Sequence, residues 1–219
     1  MIKLLEKYIL NKYNYISFDI FDTLIERDVN DPRDIFEIIE KELGEKDFRK
    51  IRIEAEKKAR LKKESGEVIL DEIYDEIKDT VIDKEIIKEY EVKIELKHIE
   101  PKYNMVCFLN RCIVQKKDIY LISDMYLSES IIRQFLDKCG IHRYNKLYLS
   151  NKYDVNKISG KLFHAFLKDE NIDCKKVIHI GDSIRADLLG AQKVKIKAIL
   201  INRKNRFKRV INTICQQKY

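Results

Sequence analysis

The chain has 219 residues, with 44 Lys and Arg against 37 Asp and Glu for a net charge of +7, and 45% of its residues are hydrophobic. That length holds one ordinary domain plus an insertion, and the composition excludes a disordered chain. No apolar run approaches the roughly 20 residues that span a bilayer, and the early charges of Met1-Ile2-Lys3-Leu4-Leu5-Glu6-Lys7 do not read as a secretory signal.

The first predicted element is a buried strand over residues 15–19, Tyr15-Ile16-Ser17-Phe18-Asp19. A carboxylate at the tip of a buried strand is costly unless it binds something. The only two prolines, Pro32 and Pro101, bracket the next segment. Asn30-Asp31-Pro32 is a helix start, and Glu100-Pro101 ends the segment. Between them Ile35, Phe36, Ile38, Ile39 and Leu43, and again Leu70, Ile73 and Ile77, recur at helical spacing. Residues 32–100 therefore predict four helices, with a break near Ser65-Gly66. They hold 16 basic and 21 acidic side chains, unlike the basic remainder. That contrast predicts a helical module inserted into a sheet domain made of residues 1–31 and 101–219.

After the insert, strands and helices alternate. Strands are expected over 118–123, 146–149, 176–180 and 197–201, and helices over 103–116, 128–139, 157–170 and 184–192. This predicts an α/β fold with a parallel sheet covered on both faces. Ser128 caps an amphipathic helix with Ile131, Ile132, Phe135 and Leu136, and Gly140 closes it. Residues 193–219 carry nine basic and no acidic side chains. They read as a solvated basic face, or as a dock for an anionic partner. No nucleic-acid motif accompanies them, so nucleic acid is not an expected partner, and neither is a membrane. The five cysteines are odd in number and form no Cys-x-x-Cys pair, which predicts reduced thiols in a cytoplasmic protein and no zinc site.

Three strands end alike: Phe18 runs into Asp19, Ile122 into Ser123-Asp124, and Ile180 into Gly181-Asp182-Ser183. An open α/β sheet builds its polar site in this way, at the carboxyl ends of its strands. Asp19 can act as a nucleophile toward phosphorus, and Asp19 with Asp182 forms an oxygen-donor pair suited to Mg²⁺. Asp187 is close enough in sequence to orient waters or Lys157, and Ser123 and Lys157 can bind phosphoryl oxygens.

The order of these residues resembles the haloacid dehalogenase superfamily, mostly phosphohydrolases. Asp19 with Thr23-Leu24 is similar to its first motif, Ser123 to the second, Lys157 to the third, and Gly181-Asp182 with Asp187 to the fourth. The resemblance implies a Rossmann-like core with an all-helical cap at residues 32–100. It also implies an aspartyl-phosphate on Asp19 and Mg²⁺ held by Asp19, the Phe21 carbonyl, Asp182 and Asp187. Thr23, Ser123 and Lys157 would then bind a small phosphorylated substrate. The Phe-Asp-Ile-Phe-Asp-Thr-Leu stretch resembles domains found with bacterial surface-polysaccharide enzymes, which implies a sugar phosphate.

One position departs from the pattern. In the superfamily's phosphatases the residue two after the nucleophile is a second aspartate, the general acid, and here it is Phe21. Without such an acid the rate falls by about 10²–10⁴. Asp22 can stand in as the acid, the leaving group can need no proton, or the domain can bind a phosphorylated ligand without turnover. The dehalogenase branch carries an aromatic residue here, but the Gly181-Asp182-Ser183 metal pattern argues against dehalogenation. Of the other candidates, His179 reads as a core histidine, Arg27 as a hinge or anion contact, and Tyr126 as packing or pocket lining.

Overall fold

A computed structural model describes residues 2–78 and 80–201. Cys215 and most of the basic 193–219 stretch lie outside the described residues. Five parallel strands form the sheet: β1 (Tyr15–Phe18), β4 (Asp118–Ser123), β5 (Lys146–Leu149), β6 (Val177–Gly181) and β7 (Lys197–Leu200). Their order is β5-β4-β1-β6-β7. The chain leaves β1 toward one edge and later fills the other, so the strand order reverses around β1. Crevices for ligands form at such a point.

Strand alternation separates two buried clusters. Ile16, Phe18, Ile119, Leu121, Ile178 and Ile180 face one side, where α6 (Tyr103–Val114) and α7 (Glu129–Lys138) pack. Tyr120, Ile122, Tyr148 and Val177 face the other, under Phe163 and Phe166 of α9 (Lys161–Glu170), which follows the single-turn α8 (Ser150–Tyr153). Each such side chain contributes about 1.5–3 kcal/mol by leaving water.

The insert contains α2 (Asp34–Leu43), α3 (Phe48–Leu61), α4 (Leu70–Asp75) and α5 (Lys84–His98), the four expected helices. Gly44 ends α2 at φ +70°, a backbone state glycine reaches without strain. Its interior joins the first cluster without a break: Phe36, Ile39, Ile73 and Ile94 belong with Phe18 and Phe135.

Several features differ from the sequence reading. The N-terminal residues form α1 (Ile2–Lys12), whose Ile9 is buried against the sheet. Its charges are those of an amphipathic helix. The two chain crossings into the insert pair as an antiparallel ribbon of β2 (Ile25–Arg27) and β3 (Ile99–Pro101). Three-residue strands carry too little pattern to be legible. The 157–170 helix begins only at Lys161, because residues 157–160 form a turn closed by the Gly160 N–H donating to the Lys157 carbonyl at 2.9 Å. The 184–192 helix is a π-helical turn, Ile184–Leu189, running into α10 (Gly190–Lys193). No described helix is long and apolar enough to cross a membrane. Cys107, Cys112, Cys139 and Cys174 are free thiols.

Candidate active site at the carboxyl end of the sheet

Asp19 follows β1, Ser123 ends β4 and Asp182 follows β6, so the expected strand ends meet at the centre of the sheet. The Asp19 N–H donates to the Ile180 carbonyl at 2.9 Å, which extends the β1–β6 ladder up to the carboxylate. Thr23 Oγ1 donates to Asp19 Oδ2 at 3.0 Å, and Lys157 Nζ donates to Asp19 Oδ1 at 2.6 Å. Both carboxylate oxygens are thereby oriented.

Lys157 also donates to Asp187 Oδ1 at 2.6 Å. Its own N–H donates to Asp124 Oδ1 at 2.9 Å, which anchors the turn carrying it. The π-helical turn brings Asp187 under the site, a device common near functional groups. Asp187 Oδ2 accepts the Ser183 N–H at 2.8 Å. Two glycines make this approach possible. A Cβ on Gly181 would stand 2.2 Å from Asp187 Cγ, and one on Gly190 would stand 2.1 Å from the Lys157 carbonyl oxygen.

His179 lies beneath Asp187. It is the register partner of Ser17 on β1, and both point to the α9 side of the sheet. His179 Nε2 lies 3.1 Å from Asp187 Oδ1, and Nδ1 lies 2.9 Å from Ser17 Oγ. An ionised carboxylate only accepts, so Nε2 carries the proton and Nδ1 accepts from the Ser17 hydroxyl. The core-histidine reading holds, and its partner is a site residue. The signal available was a lone polar residue inside an apolar strand.

Burial and neighbouring carboxylates set the charges. Burial pushes the Asp19 carboxyl up to about 8, against the pull of Lys157, with Asp187 and Asp182 adding to the rise. Burial disfavours the Lys157 ammonium, but Asp187, Asp19 and Asp124 more than offset that and hold its pKa above the usual lysine range. Burial would also raise Asp187, yet Lys157 and His179 keep it far below the usual carboxylate range. Burial lowers the His179 pKa and keeps the ring neutral.

Asp19, Asp182 and Asp187 each offer an oxygen, and these oxygens lie within 4.8 Å of one another. A buried all-oxygen carboxylate set fits Mg²⁺, which takes one or two carboxylates and completes its octahedron with substrate and water. Thr23 and Ser123 are buried beside this cluster or at the end of the adjoining strand. Asp22 is not in the acidic cluster. It sits at φ 59°, half-buried, and its carbonyl accepts from Lys102 Nζ at 2.7 Å.

Phe21 is held by packing. Its ring meets Phe135 edge-on at 6.4 Å between centroids, and the Arg27 guanidinium lies 4.7 Å from its centroid. Arg27 is nine-tenths buried and forks onto Glu95 through Nε at 2.6 Å and Nη2 at 2.9 Å. A second fork lies deeper in the insert. The fully buried Arg52 donates to Glu91 at 2.7 and 2.9 Å, Tyr74 Oη donates to Glu91 at 2.8 Å, and the Arg52 guanidinium lies 4.9 Å from the Tyr126 ring. Tyr126 thus follows the Ser123 strand end and packs into the insert. No spacing in the sequence marks Glu91 or Glu95 as partners of these arginines.

The comparisons agree with this geometry. Residues 16–201 match the family model described as haloacid dehalogenase-like hydrolase. No curated protein sequence matches the chain. Among solved structures, the chain is similar to the magnesium-bound putative HAD-hydrolase YfnB from Bacillus subtilis, at 14% identity and TM-score 0.64 over 92% of this chain and 99% of that one. It is similar to a HAD family enzyme from Bacteroides thetaiotaomicron at 17% identity and TM-score 0.64, over 91% and 98% of the two chains. It is also similar to L-2-haloacid dehalogenase from Xanthobacter autotrophicus at 8% identity and TM-score 0.62, over 91% and 83%. These likenesses establish the fold, and with the family match over most of its length the chain belongs to the haloacid dehalogenase-like hydrolases.

Proposed function

We propose that the protein is a cytoplasmic, Mg²⁺-dependent phosphohydrolase or phosphotransferase that acts on a small phosphorylated metabolite through an aspartyl-phosphate on Asp19. The observation that carries this reading is Lys157 Nζ, shared at 2.6 Å between Asp19 and Asp187 beside a buried carboxylate cluster. It gives one carboxylate a fixed direction of attack and keeps a cation beside the place where phosphoryl charge develops. Thr23 holds the second Asp19 oxygen, so both oxygens are engaged. Ser123 and Lys157 donate to phosphoryl oxygens. His179 and the Ser183 N–H hold Asp187, and through it Lys157. Asp19, the Phe21 carbonyl, Asp182 and Asp187 would hold Mg²⁺, which when bound neutralises charge on the transferring group. In this reading residues 32–100 are the cap, and residues 1–31 with 101–219 are the core. The magnesium and inorganic phosphate held by a variant of the Bacteroides enzyme support the choice of ligands.

A second reading is a module that binds a phosphorylated ligand without turnover. It is favoured by Phe21, whose ring is packed between Arg27 and Phe135 and gives no proton. A panel of phosphorylated metabolites and p-nitrophenyl phosphate, assayed with and without Mg²⁺, decides between the two. Mg²⁺-dependent phosphate release that Asp19→Asn abolishes supports the enzyme. Tight binding of a phosphorylated ligand with no release in wild type supports the module.

A further inference from the structure

Between the insert and the core lies a cleft of about 550 Å³, lined in part by Arg27, Arg33, Lys57, Arg60, Met125 and Tyr126. It opens beside the nucleophile's loop, because Arg27 stacks on Phe21 and Tyr126 follows the Ser123 strand end. Its carboxylates are Glu56 and Glu95. Glu95 is forked by Arg27, and Glu56 accepts from both Arg52 and Arg60. Both carboxylates are therefore committed to guanidinium partners. Tyr126 is buried, which makes its phenol a weaker acid than usual. The cleft has no histidine, and Asp22 is not among the residues lining it. Four cations face two committed carboxylates. Of these cations, Lys57 is exposed and makes no ion pair among the described residues. Arg27 has Nη1 left over from its fork, with no hydrogen bond among the described residues.

A cationic cleft that opens beside Phe21, whose ring has no proton to give, suits a leaving group that departs as an anion. Resting on the phosphohydrolase reading above, we infer that the substrates are phosphoric anhydrides, acyl phosphates or phosphoanhydrides, and not the sugar phosphates that the sequence signature implies. In the first step an Asp19 oxygen bonds to phosphorus and the bond from phosphorus to the bridging oxygen breaks. Its electron pair stays on that oxygen, which leaves as carboxylate or phosphate with no proton required. Water then attacks phosphorus, the aspartyl oxygen leaves as carboxylate, and both water protons remain with the released dihydrogen phosphate. Charge balances in each step without a general acid. An alkyl phosphate would instead expel an alkoxide, about as basic as hydroxide, against a carboxylate whose acid has a pKa of about 4.

The test compares kcat/KM for acetyl phosphate, pyrophosphate, glucose 6-phosphate and p-nitrophenyl phosphate with Mg²⁺ present. The expected result is at least one anhydride exceeding glucose 6-phosphate by about a hundredfold or more, the range a missing general acid accounts for. Acetyl phosphate against pyrophosphate separates carboxylate from phosphate as the leaving anion. Glucose 6-phosphate turned over as fast as the anhydrides overturns the inference, as does turnover of p-nitrophenyl phosphate alone, while both leave the phosphohydrolase reading standing. Release from none of the four removes that reading and this one with it. Lys57 is exposed, so its substitution spares the fold. Lys57→Ala should lower kcat/KM for the preferred anhydride about three- to tenfold, and Lys57→Arg should restore it. An unchanged value in Lys57→Ala takes the leaving group out of the cleft and overturns its assignment there.

Discussion

Asp187 accepts from Lys157 and His179 on one oxygen and from the Ser183 N–H on the other. It accepts one more hydrogen bond than Asp19, which takes those of Thr23 and Lys157. His179→Leu removes one of these donors and leaves the buried Ser17 hydroxyl without its acceptor. A stability loss of about 1–3 kcal/mol in urea denaturation is expected, with Mg²⁺ affinity falling about 10–100-fold, as when a group behind a metal ligand is lost. A variant as stable as wild type with unchanged Mg²⁺ binding would mean that His179 only fills space. Phe21 supports a second prediction. A carboxylate placed there stands within reach of the Arg27 guanidinium, now 4.7 Å from the ring centroid, and that cation would keep it ionised. Phe21→Asp should therefore recover less than about tenfold on glucose 6-phosphate, although a working general acid is worth about 10²–10⁴. A hundredfold gain in kcat/KM would show that Arg27 does not control that position.

At the scale of elements, β1, β4 and β6 were legible because each is a short apolar run ended by a small or acidic residue. The four insert helices were legible from their periodicity. The β2–β3 ribbon was not, since three residues cannot display a period. The π-helical turn was not either, because its extra residue is needed for tertiary reasons, to carry Asp187 back against Gly181. Gly181→Ala would set a Cβ 2.2 Å from Asp187 Cγ, so the turn must shift and the Lys157–Asp187 contact with it. Loss of Mg²⁺-dependent phosphate release with little change in far-UV circular dichroism is the expected outcome, and full activity would contradict the placement of the turn. In the insert, Arg52→Ala leaves Glu91 buried without its cation, and breaking such a pair costs about 3–5 kcal/mol. Thermal melts should show that loss, and an unchanged melting temperature would exclude a structural role for the fork.

For the whole molecule, the site was legible as far as residues at strand ends determine it. Asp19, Thr23, Lys157, Asp182 and Asp187 do come together around β1. The cleft was not legible, because Arg27 meets Glu95 only once the insert folds against the core, and Arg52 meets Glu91 only once the insert's own helices pack. The site's charge also links metal to pH. Folding raises the Asp19 carboxyl from 3.8 to about 8, chiefly through burial. Within that window the folded state holds a proton that the unfolded state has lost. Raising the pH through it therefore lowers stability, and the full loss is reached above about 8. Mg²⁺ favours the ionised carboxylate, so its stabilising effect should grow over the same window. The rise in melting temperature on adding Mg²⁺ should be larger near pH 8.5 than near about pH 6, and an equal rise would place the cation away from Asp19.

The most direct measurement is capture of the phosphoenzyme. Wild type mixed with a turned-over substrate and Mg²⁺, quenched in acid and digested, should carry a phosphoryl group on the peptide holding Asp19, and Asp19→Asn should carry none. The bond should be labile to hydroxylamine, as an acyl phosphate is. Phosphate release with no label on that peptide, or label on another residue, would contradict a phosphoryl transfer through Asp19.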